Sequence, residues 1–390
     1  MRIRAAVLHA YSTPLSVEEV ELEPPRTGEV LVRVAAAGVC HSDLHLADGH
    51  LGPGRVPMVL GHEGAGVVEA VGEGVGGLEP GDHVAFCFVP SCGGCRACAA
   101  GRRNLCEVAG ELAWAGMLLD GTSRLRLADG RPAQHFNFVA CFAERAVVPA
   151  ACAVPVPRAL PLWQASLLGC GVVTAVGAVR NAARVTVGET VCVVGCGGVS
   201  LQLVAAARLA GAGRIVAVER DPAKRALALA RGATDAVDGG ADAVLALVPG
   251  GVDHAFEAVG SPVTIRLAWD VLRPGATATV VGIAPKGVDV ALPALELLSE
   301  KGIRGSYYGS GDAAALLASM AGLAAEGRFP VADVVTHVTD LDGIEHAFGR
   351  LRRGEGARTV AILDEGLAGS PPDGLGRPAY GLGVPGRRQP

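Results

Sequence analysis

An apolar, β-branched run from Thr190 to Val194 ends on Gly195-Cys196-Gly197-Gly198-Val199-Ser200, and a helical pattern begins there and runs to Ala210. A strand apolar on both faces that turns through glycines straight into a helix must be covered from both sides, which leaves few ways to fold. The same rhythm continues. Arg214 to Glu219, Val252 to Ala258 and Ala276 to Val281 read as strands, with helices over Pro222 to Arg231 and Pro262 to Leu272 between them. This alternation predicts an α/β unit built on a parallel, doubly wound sheet. In that setting Gly195 permits the tight turn, and Gly197 lets the backbone approach a pyrophosphate at the helix N-terminus. Glu219 ends the next strand, where a carboxylate accepts from both ribose hydroxyls of a dinucleotide and repels a 2′-phosphate. NAD is therefore expected over NADP, with Arg220 as a partial counterweight. Ser200 stands where such loops carry a third glycine.

The first part of the chain has a different texture. Short apolar runs from Met1 to about Pro157 are broken by Pro24-Pro25, Gly72, Gly76-Gly77 and Pro80-Gly81, and Glu29 to Ala35 and Gly66 to Val71 read as strands. This half is expected to be β-rich. Beyond Ser306, a helix over Ala313 to Glu326 leads to a last strand, Arg358 to Leu363. Residues 366–390 are rich in Gly, Pro and Arg, and read as a disordered tail. A net charge of −5 without basic clusters gives no reason to expect a nucleic-acid partner. Met1 to Glu23 lacks the apolar core of a signal peptide. Ala159 to Val179 is uncharged and long enough to span a bilayer, but Pro161, Gln164, Gly169, Gly171 and Gly177 suit a buried helix better. No membrane association is expected.

Eleven cysteines in such a chain point to metal ligation or scattered buried thiols. Cys92, Cys95 and Cys98 recur every third residue, Cys106 follows, and Gly93, Gly94 and Gly101 let the backbone fold around one centre. Four thiolates on one short loop suit a closed, tetrahedral zinc site of structural role. An iron–sulfur cluster is the other metal reading, although the spacing departs from the usual ferredoxin patterns. Cys40, His62 and Cys170 also sit among small residues and turns. Two thiolates and an imidazole are the ligand set of a catalytic zinc with an open position. Sequence alone leaves open whether residues so far apart converge; each cysteine by itself reads more readily as a small buried hydrophobe than as a ligand.

Several strings resemble the medium-chain, zinc-dependent alcohol dehydrogenase family. They are Gly61-His62-Glu63-Gly64-Ala65-Gly66-Val67-Val68-Glu69-Ala70-Val71-Gly72, Cys40-His41-Ser42-Asp43, the four-cysteine lobe, Asp120-Gly121-Thr122-Ser123-Arg124 and Gly169-Cys170-Gly171. The resemblance extends to about Asp364, in the family's order. It implies a β-rich, GroES-like catalytic domain over 1–171 and 307–365, and a Rossmann domain over 172–306 that binds NAD. It also implies two zinc ions per chain. Cys40, His62 and Cys170 would hold the catalytic ion, with Asp43 orienting His62 and Glu63 beside the metal. Cys92, Cys95, Cys98 and Cys106 would hold the structural one. Ser42 would take the alcohol proton and His45 would pass it on. His41, Lys224, Ile283 and Arg358 would join Gly195, Gly197, Gly198, Val199 and Glu219 at the cofactor. Leu51, Phe88, Phe136, Asn137 and Tyr307 would line the substrate pocket.

The reaction so implied is reversible hydride transfer between a primary or aromatic alcohol and NAD, giving an aldehyde. The long segment between Cys106 and Asp120 is similar to that of glutathione-dependent formaldehyde dehydrogenases, but Leu51 and Gly110 stand where those enzymes carry the Asp and Arg that grip glutathione. A formaldehyde dehydrogenase acting on a mycothiol-type thiol adduct stays as the alternative, and a non-catalytic zinc- and NAD(H)-binding protein as one of another class. A cytoplasmic homodimer is expected, with a tetramer as the larger option. The family habit would pair the coenzyme-domain sheets near Ala276 to Gly282.

Overall fold

The computed structural model describes residues 1–51, 55–371 and 375. Its strands form three sheets. Arg2–Leu8, Ser16–Leu22, Leu125–Arg126, Pro132–His135 and Met58–Val59 close a small barrel. A second sheet is built around the long strand Glu29–Val39, which pairs antiparallel with Gly64–Val71, Arg145–Pro149 and the late strand Arg358–Ile362. The third is the parallel sheet, in the order Asp235–Val237, Arg214–Val218, Thr190–Val194, Val252–Glu257, Leu272–Val280, Gly302–Gly305. All its strands lie within 190–305; the barrel draws on the chain before it, and the second sheet on the chain before and after it.

Local chemistry sets the helix starts. Asp221 caps Pro222–Ala230, with proline at the first helical position where no N–H is missed. Ser261 and Thr264 form a capping box at the head of Pro262–Asp270. Asp312 caps Ala313–Ala325 by accepting from the Ala315 N–H. The helix expected to run to Leu272 stops at Asp270, because Leu272 already pairs with Val252 in the sheet. The apolar stretch Leu162–Ala183 is long enough to cross a membrane, but 89% of its most apolar window is buried inside the fold. It is a core helix that links the Cys170 turn to the coenzyme sheet.

Two expectations need correction. The tail was expected to lose structure from residue 366, yet Glu365–Ala368 is a helical turn capped by Asp364, with Ala368 fully buried. The Asp364 carboxylate accepts from the Gly366 and Leu367 N–H groups and pairs with Arg33, which fastens the turn to the long strand. Residues 372–374 and 376–390 of that tail lie outside the described residues. The second correction concerns subunit pairing. Leu272–Val280 has a neighbour on each side, so it offers no edge to a second copy; the edge strands of that sheet are Asp235–Val237 and Gly302–Gly305, and the latter lies next to Leu272–Val280.

Candidate active site

The long strand Glu29–Val39 delivers Cys40 to the head of the helix His41–Ala47, which carries His41, Ser42, Asp43 and His45. His62 lies in the turn before Gly64–Val71, and Cys170 lies within the buried helix. These three come together: the ligand atoms of Cys40, His62 and Cys170 all lie within 4.8 Å of one another. The His62 Nε2 is 3.3 Å from the Cys170 Sγ. On the other side of the ring, Nδ1 donates to the Asp43 Oδ1 at 3.1 Å, which also accepts the Gly61 N–H at 2.9 Å. Nε2 is thereby left as the nitrogen that faces the thiols, the arrangement a metal-binding imidazole needs. Two thiols and one oriented imidazole, all buried, fit zinc with one position to spare.

Glu63 follows His62, and its carboxylate lies between Arg358 and the turn that carries Cys170. Its Oε2 pairs with the Arg358 guanidinium at 3.1 Å and its Oε1 accepts the Gly171 N–H at 3.4 Å. Burial pushes the Glu63 carboxyl up to about 7, against the pull of Arg358. Arg358 is itself buried, and a second bond from its Nη1 goes to the Val39 carbonyl.

The second cluster forms as well. The Sγ atoms of Cys92, Cys95, Cys98 and Cys106 all lie within 4.8 Å of one another. The Cys92 Sγ accepts the Cys95 N–H at 3.3 Å and the Cys106 Sγ accepts the Cys92 N–H at 3.3 Å. Backbone N–H groups aimed at sulfur stabilise thiolates, which is the charge state a zinc site requires.

At the glycine loop, Gly195 sits at φ +92°, which only glycine adopts without strain. The helix Gly198–Leu209 starts there with Val199 in its first turn. Glu219 holds the loop from the neighbouring strand: its Oε2 accepts the Cys196 N–H at 2.9 Å and its Oε1 accepts from Arg220 and Asp221. The Ser200 hydroxyl is buried without a hydrogen-bond partner. Lys224 reaches across to the Gly354 carbonyl at 2.6 Å. His41 keeps an exposed edge. Crowding by protein atoms lowers its pKa, with Cys40 opposing and Arg358 and Lys224 reinforcing.

Of the expected pocket residues, Phe88 and Phe136 meet the site. Their rings stand edge-on to His62, with centroids at 5.1 and 5.3 Å. Asn137 takes a left-handed conformation beside Phe136, at φ 48° and ψ 46°. Tyr307 is half exposed, and burial pushes its hydroxyl up to about 12. No hydrogen bond or ring contact among the described residues ties Leu51, Asn137 or Ile283 to the zinc ligands. Two residues to which the sequence assigns no role also meet the site. Tyr308 is buried and stacks on Phe88 at 3.8 Å; its hydroxyl donates to the Gly169 carbonyl at 2.6 Å and accepts the Phe88 N–H at 3.1 Å. His50 meets His45 ring to ring, with their Nδ1 atoms 3.2 Å apart. Neither stands in a motif, and only the fold brings it to its partner.

Comparison with known proteins agrees with this geometry. A family profile described as "Alcohol dehydrogenase GroES-like domain" matches residues 26–158, and one described as "Zinc-binding dehydrogenase" matches residues 198–322. An S-(hydroxymethyl)glutathione dehydrogenase of Photobacterium damsela subsp. piscicida is 37% identical over 367 residues, covering 92% of this chain and 99% of its own. The chain belongs to the zinc-containing, medium-chain alcohol dehydrogenase family. A solved alcohol dehydrogenase zinc-binding domain protein from Burkholderia ambifaria superposes with TM-score 0.89 at 37% identity, covering 94% of this chain and 100% of its own. Benzyl alcohol dehydrogenase from Acinetobacter calcoaceticus superposes with TM-score 0.87 at 30% identity, covering 93% and 99%. The protein is thus a zinc-dependent oxidoreductase that acts on alcohols, with a GroES-like domain and a Rossmann-type domain.

Proposed function

We propose that the substrate is a primary alcohol with an aliphatic or aromatic side chain, oxidised reversibly to the aldehyde. The observation that supports this most is the pair of aromatic walls, Phe88 and Phe136, set edge-on to the ligand His62. Such walls favour an apolar substituent next to the reacting carbon. Cys40, His62 and Cys170 would hold zinc, which would supply Lewis acidity there, and the glycine loop would hold NAD, which would supply the hydride acceptor. Ser42, whose hydroxyl lies 3.7 Å from the Cys40 Sγ, takes the alcohol proton, and His45 carries it outward. Asp43 fixes the His62 tautomer. Glu63, held by Arg358, is a buried carboxylate next in the chain to the ligand His62.

On the cofactor side, Gly195, Gly197, Gly198 and Val199 form the pyrophosphate loop, and His41, Lys224, Ile283 and Arg358 border it. NAD is favoured over NADP because the Glu219 carboxylate already closes the loop at the Cys196 N–H, where a 2′-phosphate would meet negative charge. The working form is a cytoplasmic homodimer, paired through the edge strand Gly302–Gly305 beside the exposed Leu295 and Leu298. Segments 1–171 with 307–365, and 172–306, act as the two lobes around the cleft.

A second reading is favoured by the relatives named for S-(hydroxymethyl)glutathione. Leu51 and Gly110 offer no charge to glutathione, so a different thiol adduct, of mycothiol type, is the form this alternative takes. One assay separates them: NAD reduction with aliphatic alcohols, benzylic alcohols and the S-hydroxymethyl adducts of glutathione and mycothiol, with and without a zinc chelator. Turnover of simple alcohols abolished by the chelator supports the main reading. Turnover of an adduct alone transfers the function to that thiol.

A further inference from the structure

We propose that His50 is the outer member of the proton relay, taking the proton from His45 and delivering it to bulk water. The inference rests on the alcohol dehydrogenase reading and extends it to a residue outside the family strings. The helix His41–Ala47 ends at Asp48, and Gly49 turns the chain at φ +78°. The His50 N–H then donates to the His45 carbonyl at 2.9 Å, which brings the second imidazole back over the first. The ring centroids are 5.5 Å apart and the two Nδ1 atoms 3.2 Å apart, the separation of an N–H···N hydrogen bond. From the segment that follows Leu272–Val280, the Lys286 N–H donates to the His50 carbonyl at 3.3 Å, so the turn is held at both its amide and its carbonyl. His45 is half-buried and His50 exposed, so the pair leads from the interior to solvent.

An Nδ1-to-Nδ1 contact has a definite consequence. Exactly one of the two facing nitrogens carries the shared hydrogen when both rings are neutral, and each ring keeps Nε2 as its second site of exchange. During alcohol oxidation a proton arrives at the His45 Nε2. The hydrogen on its Nδ1 passes to the His50 Nδ1, and the His50 Nε2 releases its own hydrogen to water. One proton enters, one leaves, and neither ring holds a net charge at the end. The pair then stands in the opposite tautomer, with a hydrogen on the His45 Nε2, as aldehyde reduction requires; exchange with water in the open cleft resets it for another oxidation. A relay of this kind works only if His45 is free to accept. Burial of His45, with His41 and His50 beside it, holds its pKa below the ordinary imidazole value, while Cys40 and Asp48 pull the other way. The remaining charges around the pair are few. Asp48 is engaged by Arg352 at 2.8 Å, from the helix Ile344–Arg352, and Lys286 approaches from the coenzyme lobe through its backbone. Two imidazolium rings at this distance repel, so the pair takes up its protons in separate steps.

The test is His50→Gln, which keeps a polar side chain on the exposed turn. Proton release on mixing the zinc-loaded enzyme with NAD and alcohol is followed with a pH indicator in dilute buffer. It is expected to slow on the order of tenfold in the variant, the low side of what a placed acid–base group contributes. In concentrated Tris buffer, where the rate is read as the burst of NADH absorbance because the buffer masks the indicator, the variant is expected to recover, whereas the unaltered enzyme gives the same rate in dilute and in concentrated buffer. NMR titration of the His45 ring in the zinc-loaded protein without cofactor gives a second readout: its midpoint should move in the variant. Release that is unchanged in dilute buffer overturns the proposal. So does release that is slow but insensitive to buffer, the behaviour of a packing role, or a His45 midpoint that stays in place. An unaltered protein that oxidises no alcohol refutes the dehydrogenase reading instead, and the NMR readout still decides whether the two rings share a proton.

Discussion

Tyr308→Phe is the substitution that most directly tests how the substrate wall and the zinc turn are joined. The ring is fully buried, and phenylalanine preserves its stacking on Phe88. Only the hydroxyl is lost, and with it two bonds: the donor to the Gly169 carbonyl, one residue before Cys170, and the acceptor for the Phe88 N–H. Among the described residues the Phe88 N–H has no other acceptor, so it becomes an orphaned buried donor. Such a group costs about 1–3 kcal/mol, and losing the second bond adds about 1 kcal/mol, so the variant should be less stable by about 2–4 kcal/mol. Urea unfolding of the zinc-loaded protein, followed by tryptophan fluorescence, measures this as a lower midpoint at unchanged slope. Because the lost bonds hold Gly169 and Phe88, zinc should also leave the Cys40–His62–Cys170 site faster in a chelator competition, with the four-cysteine site unaffected. A destabilisation below about 0.5 kcal/mol, within the range of a neutral surface change, would refute the claim that this hydroxyl pins the two segments.

Three further outcomes are expected. Ser200→Ala removes a hydroxyl that is buried without a partner, so it should stabilise the cofactor-free protein by about 1 kcal/mol, read as a higher thermal midpoint; a lower midpoint would mean that the hydroxyl is satisfied. Cys95→Ser should reduce bound zinc from two ions to one and lower stability, while leaving the Cys40 site able to bind metal, as metal analysis after dialysis would reveal. His135 gives the pH signature. Burial, reinforced by the Arg124 cation, pushes its pKa down to about 3, and its Nε2 accepts the Arg124 N–H at 3.1 Å. The unfolded chain therefore binds a proton at this position that the folded chain refuses between about pH 6.5 and 3. This contribution is fully present above pH 6.5 and is lost as pH falls, at up to about 1.4 kcal/mol per pH unit. His135→Gln should flatten that part of the pH–stability curve relative to the unaltered protein; an identical slope would rule the reasoning out.

The parts of this fold that were legible in the sequence are those where local chemistry decides. The strand–glycine–helix unit at Thr190–Leu209 needs its glycine at positive φ, and the cysteine spacing at 92–106 brings four thiols into one lobe. The boundaries drifted where pairing overrode helical pattern, as at Leu272. What could not be read was set by distant partners. His50 looks like a surface histidine until Gly49 folds it back on His45. Tyr308 lies in a loop whose value depends on Phe88 and Gly169, both far away along the chain. The segment Asp120 to Arg124 was recognisable by resemblance alone, and its role became visible only in place. Arg124 is buried and bonded to Glu29 and Asp120, so the segment ties the barrel to the long strand of the second sheet. The edge strand at Gly302–Gly305 was missed for a similar reason, since strand order within a sheet is not a local property.

Two motifs that look independent along the chain are constrained by a single guanidinium. Arg358 arrives on the strand that pairs with Glu29–Val39 and ends between the zinc turn and the pyrophosphate loop. A side chain at Gly171 would place its Cβ 2.8 Å from the Arg358 Nη2, and one at Gly198 would place it 2.9 Å from the Arg358 Nε. Both glycines therefore make room for the same buried cation, one from each site. Glu63 supplies its counter-charge at 3.1 Å, and is held in turn by the Gly171 N–H. Breaking a buried pair by removing one partner costs about 3–5 kcal/mol, so neither site can change its half of this arrangement without disturbing the other. The glycine after Cys170 and the glycine that opens the coenzyme helix thus answer to one requirement: a full positive charge set where the metal's turn meets the dinucleotide's loop.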